Sequence, residues 1–558
     1  MLRGLSRRRL LLLVFLFSAA GYVAVGYWLQ VRHGFIYGDT LARVTAAQSV
    51  LFSRDPHLAA IGFIFTPLTA LAQLPMQALS PLWPVIGERA FSGTLMSSVF
   101  MAGAVVQILG IGLDRGLPRG YALAITAIFA LNPMIVLYGA NGMSEAPFIF
   151  FMTWAVRRLI RWMVDDDVHH LIVAGGIAMG LAYLTRYDAV ACIAAAGLLV
   201  GVATYRRART PPRLRRALLD VVMASGPGTV AFVGWVGVSW LITGEGFAQF
   251  TSQYGNTAIL AQSGQESTTF GAGLAFAVVC ISLLAPTLVP IAGWAVVRRW
   301  GRPNWQVLLV PLAIYGAALA FQTLSYAAGS TFPFLRFYVI AVPLAACLAM
   351  LAVPDGVLVA AKRPGRHAPP PAPVEPVPRT RAPYVGVALL LAIGVPTTAW
   401  GMTLPDYAPQ EYGLAAVVAR DATDVTPRGA IERRIAASFS TERRIAEHLE
   451  RLDLPDSSVI TDTVFGFAVL AASKKPKMFV IPSDPDFTAL LNDPSLGGIK
   501  YLLAVPPEGR GVSDALNLRY PTLYETGAEI ATLELEIPND GDSLPDWRLY
   551  RVLEPPPS

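Results

Sequence analysis

Asp39 and Arg43, in FIYGDTLARV (residues 35–44), set a carboxylate one helical turn before a guanidinium, just beyond the first long apolar run of the chain. Arg54, Asp55 and His57 follow closely. Three later segments also place ionisable residues at the edges of apolar runs. These are Glu145 in YGANGMSEAPF, Arg186 and Asp188 in LTRYDAV, and Arg336 with Tyr338 in TFPFLRFYVIAVPL. A carboxylate so placed can take a proton from a hydroxyl, and a guanidinium can hold an anion. Ionisable side chains within or beside membrane spans are costly, which marks these positions as functional candidates. Their value depends on whether the surrounding elements bring them to one place.

Composition identifies those elements. The chain has 558 residues, 54% hydrophobic and only 15% charged, with a mean hydropathy of +0.50. That is too apolar for a soluble chain of this size and predicts an all-α polytopic membrane protein. About eleven apolar runs reach the ~20 residues needed to cross the hydrocarbon, all before residue 404. The first, about residues 9 to 31, follows Arg7, Arg8 and Arg9 and exceeds a cleaved signal's apolar core. It reads as a retained signal anchor with the N-terminus in the cytoplasm. The net charge of +6 does not indicate nucleic-acid binding, because Lys and Arg cluster in short loops between spans. Cys192, Cys280 and Cys347 all lie in apolar spans and imply neither disulfides nor a metal framework.

Alternating the spans gives outward loops near residues 32–90, 139–143, 186–188, 243–270 and 328–333. The inward loops carry the basic residues, as the positive-inside rule requires. Every candidate named above then falls on the outer face of the plasma membrane. Within the first outer loop, Leu41, Val44, Ala47 or Gln48 and Leu51 form the stripe of an interfacial helix. FTPLTALAQLPMQALSPLWP (65–84) has four prolines and predicts a re-entrant or juxtamembrane helix pair. Residues 1–403 form the membrane domain, interrupted by a cytoplasmic Pro-rich linker at 361–383. Residues 404–558 follow on the outer face. Their runs SSVITDTV, KMFVI, IKYLLAV and ATLELEI alternate with helical patterns such as TERRIAEHLERL and predict an extracytoplasmic α/β domain.

GDTLAR, SRDPHLAAIGF, FTPL, NPMIVLYGANGMSEAPF and FLRFYVIAVPL, in this order and on one face, resemble the membrane glycosyltransferases of type C (GT-C) fold. The likeness is to the protein O-mannosyltransferase and aminoarabinose-transferase kind, over about residues 1 to 350. It departs from that pattern in a single acid where many O-mannosyltransferases carry Asp-Glu, and in Thr66 where a second proline is usual. The resemblance implies an enzyme that moves a sugar from a polyprenyl-phosphate donor to an extracytoplasmic glycan, lipid or protein, with inversion. It implies Asp39 as general base and Glu145 as auxiliary carboxylate. Arg186, with Asp188 beside it, and Arg336 would bind the donor phosphate; Arg43, His57 and Tyr338 would orient groups or bind the sugar. The resemblance leaves room for a divalent cation, Mg or Mn, as cofactor.

Plainer readings stand beside these. Asp39 would cap the interfacial helix with Arg43 as its i+4 ion pair. Arg186 and Asp188 would form an interfacial salt bridge, and Arg336 would snorkel. The run Asp165, Asp166, Asp167, His169, His170 has metal-ligand residue types but falls in a short cytoplasmic loop, where a solvated turn is expected. A transporter or lipid flippase would show inverted repeats and mid-membrane charges, which this sequence lacks. A non-catalytic scaffold presenting the C-terminal domain leaves the membrane-edge charges unexplained.

Overall fold

A computed structural model of the chain describes residues 5–208, 212–262, 269–301, 304–354, 381–419, 423–495 and 497–553. Most of the Pro-rich linker lies outside these residues. Among the described residues six helices are long and apolar enough to span a membrane, or eight if two bent helix pairs each count as one span. The first runs from Arg7 to Arg32, as α1 (Arg7–Gly26) with a π-helical last turn. Three further helices occupy the places of the remaining expected spans. Glu145–Asp165 carries three arginines, while Val168–Tyr183 and Leu335–Leu351 are short. The count of eleven therefore reduces to six to eight helices of full length and apolarity.

Both bends have local causes. Asn132 accepts a hydrogen bond from the Met134 amide at 3.1 Å and Pro133 opens the next helix, so Arg119–Ala130 and Pro133–Ala140 meet at 65°. Pro286 sits in the break between Phe270–Leu284 and Leu288–Arg299, which meet at 75°.

The helix α2 (Gly38–Phe52) carries Asp39 in its first turn, where the helix dipole favours an acid. Leu41, Val44, Ala47 and Gln48 are buried as the stripe predicts, and so are Thr40, Arg43, Thr45 and Ser49. Protein therefore covers α2 on more than one side. On the membrane-domain side Thr40 Oγ1 donates to the Asn141 carbonyl at 2.8 Å. Residues 65–84 form the short helices Leu68–Leu71 and Leu74–Gln77, whose Gln73 and Gln77 bond Ser92 Oγ at 2.8 Å each.

On its other side α2 meets the C-terminal domain. There a five-stranded mixed sheet has the order β2-β1-β3-β5-β4, comprising β1 (Val459–Ile460), β2 (Phe479–Val480), β3 (Tyr501–Ala504), β4 (Ala531–Ile537) and β5 (Trp547–Val552). The first three strands are parallel, and β5 runs antiparallel to β3 and β4. Alternate residues feed two cores. Val459, Phe479, Leu503 and Trp547 pack with Ile445 and Leu449 of the Ser440–Arg451 helix on one face. Ile460, Val480, Leu502 and Tyr550 pack with Leu516 and Leu523 on the other. The helix Thr463–Ala472 is apolar all round because it is covered twice. Val469 and Leu470 enter the sheet core, while Phe467, Ala468 and Ala471 pack on Ile36, Leu41 and Val44.

The docking is also polar. Thr45 Oγ1 donates to the Phe467 carbonyl at 2.8 Å, and Arg54 pairs with Asp484 at 3.2 Å and with Asp486. The segment between the Arg213–Thr243 and Phe270–Leu284 helices adds two bonds, Tyr254 Oη to Asp462 Oδ2 at 2.8 Å and Gln262 Nε2 to Ser513 Oγ at 2.6 Å.

Candidate active site

Four chain segments converge at the end of the membrane domain that faces the C-terminal domain. Helix α2 brings Asp39 and Arg43. A turn at Asn141–Gly142 brings Met143 and starts the Glu145–Asp165 helix. The link before the Ala189–Arg207 helix brings Arg186 and Asp188, and the turn Leu335–Tyr338 brings Arg336.

The Asn141–Gly142 turn depends on its residue types. Asn141 Oδ1 accepts from the Met143 amide at 3.1 Å. Gly142 has φ +79, and a Cβ there would lie 2.7 Å from Thr40 Cγ2 and 2.8 Å from Gly93 Cα. Only glycine allows this loop to pass so close over α2. The result places Met143 Sδ 3.8 Å from Arg43 Nη1 and 3.9 Å from Arg336 Nη1.

Two ion-pair groups share this space. Arg336 Nη2 donates to Asp39 Oδ2 at 3.0 Å. Arg186 bridges two carboxylates, Glu145 Oε1 at 2.7 Å and Asp188 Oδ2 at 2.9 Å. The Phe337 ring lies under both guanidinium groups, 5.0 Å from Arg336 and 5.3 Å from Arg186. Glu145, Phe148, Arg186, Asp188, Arg336 and Phe337 line a recess of about 240 Å³.

Arg43 differs from the other two arginines. It donates from Nη1 to the Asp39 main-chain carbonyl at 2.9 Å and stacks 4.1 Å over the Phe65 ring. Among the described residues no carboxylate lies within ion-pair distance of it. The carboxylate of Asp39 thus turns to Arg336 across 297 residues of sequence, not to Arg43 at i+4. Nor does Asp39 cap α2, since that position belongs to Tyr37. Polar atoms without partners concentrate here: Arg43 Nε, Arg336 Nε and Glu145 Oε2 are buried with none.

The electrostatics favour an ionised Asp39. Desolvation alone would push its carboxyl up, but the Arg336 and Arg43 charges and the Arg336 hydrogen bond outweigh it and hold the pKa below the usual carboxylate value. Burial pulls Arg43 down, with Asp39 and Glu145 acting against it. Arg43 remains a cation, because guanidinium does not deprotonate in proteins.

Two sequence candidates lie elsewhere. His57 turns back on its own loop, with Nδ1 2.7 Å from the Asp55 carbonyl. Tyr338 is fully buried with its ring 6.2 Å from Phe276, behind the Arg336 turn.

Other residues join the site from places the sequence gave no reason to combine. Glu411 is buried, and its carboxylate accepts from the Tyr138 hydroxyl while its second oxygen has no partner. Burial pushes its pKa up, against the pull of Tyr138. Arg510, from the C-terminal domain, comes within electrostatic reach of Asp39.

As for a divalent cation, no group of three His, Cys, Asp or Glu converges among the described residues. Asp39, Glu145 and Asp188 are each already engaged by a guanidinium. Each would have to leave its guanidinium to ligate Mg or Mn. At the acidic run, Asp167 accepts from the His169 amide at 3.0 Å as a helix cap, and Asp165 pairs with Arg161 at 3.2 Å and His170 at 3.5 Å.

No protein-family model and no curated protein sequence matches the chain. Solved structures do. The crystal structure of ArnT from Cupriavidus metallidurans bound to undecaprenyl phosphate matches with a TM-score of 0.55 at 13% identity, over 98% of this chain and 99% of that one. The apo state of the same protein matches with a TM-score of 0.51 at 14% identity, over 99% and 100%. A likeness at that identity is one of architecture, and it spans both domains. The chain is a multi-pass membrane protein with the type C glycosyltransferase fold.

Proposed function

We propose that the protein transfers a sugar from a polyprenyl-phosphate donor to a hydroxyl of an extracytoplasmic acceptor, a cell-envelope glycan, lipid or protein, with inversion at the anomeric carbon. The observation that carries this reading is Asp39: a partly exposed carboxylate kept ionised by Arg336, which lines the recess, with the unpaired cation of Arg43 beside it. The fold it shares with a protein bound to undecaprenyl phosphate supports the choice of donor.

The chemistry follows from the groups present. Asp39 takes the proton of the acceptor hydroxyl while the acceptor oxygen bonds to the anomeric carbon. The bond from that carbon to the phosphate oxygen breaks, and its electron pair leaves on polyprenyl phosphate. Arg43 meets the departing charge. Arg336 turns from Asp39 toward the phosphate when the donor enters, and this exchange raises the basicity of Asp39 at the moment it is needed. Arg186 stays committed to Glu145 and Asp188 and fixes the wall of the recess, with Glu145 Oε2 available to a sugar hydroxyl. The N-terminus is then cytoplasmic and the C-terminal domain external, since polyprenyl-phosphate sugars are used on the outer face.

The test supplies the full chain in lipid nanodiscs with radiolabelled polyprenyl-phosphate sugars and follows sugar transfer or release. Asp39→Asn retains donor binding and loses turnover. An Asp39→Asn protein with wild-type turnover refutes the assignment.

A further inference from the structure

The membrane half of the site is balanced in charge. Asp39, Glu145 and Asp188 face Arg43, Arg186 and Arg336. Glu411 behind them is pushed toward its neutral form by burial. An entering phosphate anion that meets the unpaired Arg43 therefore leaves the set net negative unless a further cation joins it. The C-terminal domain holds one at the right place.

Arg510 stands on the turn Gly509–Ser513, with its guanidinium 5.6 Å from the Phe465 ring and its side chain exposed. Phe465 belongs to the Thr463–Ala472 helix, whose Phe467 comes within 3.9 Å of where a side chain on Gly38, the neighbour of Asp39, would begin. One short helix thus links Arg510 to the start of α2. No carboxylate lies within ion-pair distance of Arg510 among the described residues. The acid that acts on it most strongly is Asp39, and the second, Asp462, is occupied: its Oδ2 accepts from Tyr254 Oη and from the Ala515 amide, both at 2.8 Å.

The turn that carries Arg510 is held from two sides. Asn517 Nδ2 donates to the Gly511 carbonyl at 2.9 Å within the C-terminal domain. From the membrane domain, Gln262 Nε2 donates to Ser513 Oγ at 2.6 Å. A free guanidinium on a fixed turn, stacked on an aromatic ring, is preorganised to receive an anion.

We propose that Arg510 is a substrate-binding residue contributed by the C-terminal domain, which meets the lipid-linked phosphate from above and supplies the positive charge that the balanced membrane half lacks. The proposal rests on the donor class argued above. Arg510 does not touch the reacting carbon; it fixes the phosphate that Arg43 and Arg336 reach from below.

The test titrates undecaprenyl phosphate, undecaprenol and inorganic phosphate into the full chain in phosphatidylcholine nanodiscs, comparing wild type, Arg510→Gln and Arg510→Lys. Arg510→Gln weakens undecaprenyl-phosphate binding roughly tenfold, the scale of one charge-assisted hydrogen bond. Arg510→Lys recovers most of it, and undecaprenol binding and thermal midpoint stay at wild-type values. Unchanged undecaprenyl-phosphate affinity in Arg510→Gln overturns the proposal while leaving the donor class standing, provided wild type prefers the phosphate over the alcohol. Equal loss for alcohol and phosphate shows a structural residue and also overturns it. A loss seen equally with inorganic phosphate assigns Arg510 to a free anion and overturns the lipid-linked form. Absence of any phosphate preference in wild type overturns the donor class itself.

Discussion

Two arginine–carboxylate networks sit at opposite ends of the Phe91–Asp114 helix, and they are built differently. At the Asp114 end Arg157 is saturated. Its Nε meets Asp114 Oδ2 at 2.7 Å, Nη2 meets Oδ1 at 3.3 Å, and Nη1 meets Gln107 Oε1 at 2.9 Å, with Arg7 on the other side of the carboxylate. At the Phe91 end Arg43 has no carboxylate, Arg43 Nε, Arg336 Nε and Glu145 Oε2 are buried without partners, and 37% of the Asp39 side chain is open. A saturated network holds helices together. An unsaturated one retains capacity for a ligand, because buried polar groups without partners are costly and rare. Ion pairing at a membrane edge is thus a weak sign of function, and unmet hydrogen-bonding capacity is a stronger one.

The comparison can be broken most decisively by turnover. Asp39→Asn should lower sugar transfer by roughly 10²- to 10⁴-fold, the range for a lost general base. Asp114→Asn should leave turnover per folded molecule near wild type and lower the thermal midpoint, by the equivalent of ~1–3 kcal/mol for a disrupted buried network. Equal kinetic losses in both variants would erase the distinction between the two ends.

Next in size is the donor phosphate. Arg43→Ala should raise the donor KM roughly tenfold or more and also lower kcat, since Arg43 meets the departing charge, whereas Arg157→Ala should act on stability alone. A donor KM that Arg43→Ala leaves untouched would mean that the unpaired guanidinium serves packing against Phe65.

The pH dependence sharpens the electrostatic half of the contrast. Because Asp39 is held below its usual value in the free protein, kcat/KM should persist as pH falls through the ordinary carboxylate range and disappear only below it. The stability that Asp39 contributes follows the same sign, present above the unfolded pKa and lost as pH falls through the folded one. Arg336→Gln removes the main opposing charge, so desolvation dominates and the acid limb of kcat/KM should move to higher pH. A limb that stays in place would remove Arg336 as the controlling group. The smallest effect belongs to Thr45→Val, which deletes one bond to the Phe467 carbonyl and should cost about 1 kcal/mol of domain docking, read as a small shift in thermal midpoint.

What could be read from the sequence depended on the range of the interactions involved. The β-rich character of SSVITDTV, KMFVI, IKYLLAV and ATLELEI is local, and each contains a strand. WRLYRV, the strand beside β3, is not among those runs, although Trp547, Leu549 and Tyr550 are buried between two cores. Side assignment by charge puts Asp39, Glu145, Arg186, Asp188 and Arg336 at one face, since all lie at span edges, and the structure brings these five together. It could not choose partners among them. The i+4 spacing favours Arg43 for Asp39, yet the turn at Leu335–Tyr338 delivers Arg336 instead. His57 looked equivalent to its neighbours in type, and only loop geometry turns it away. Glu411 and Arg510 carry no periodic or motif signal, so nothing short of the folded contact between domains reveals them.

The double coverage of α2 has a consequence for modularity. The helix that carries the proposed base belongs to the membrane domain by sequence, but Ile36, Leu41, Val44 and Thr45 complete a seam with Phe439, Phe467, Ala468 and Ala471. The C-terminal domain is therefore no detachable passenger. A chimera that exchanges residues 404–558 for those of a structural neighbour must carry the outward residues of α2 with the graft, or the acid loses one of the two walls that set its position.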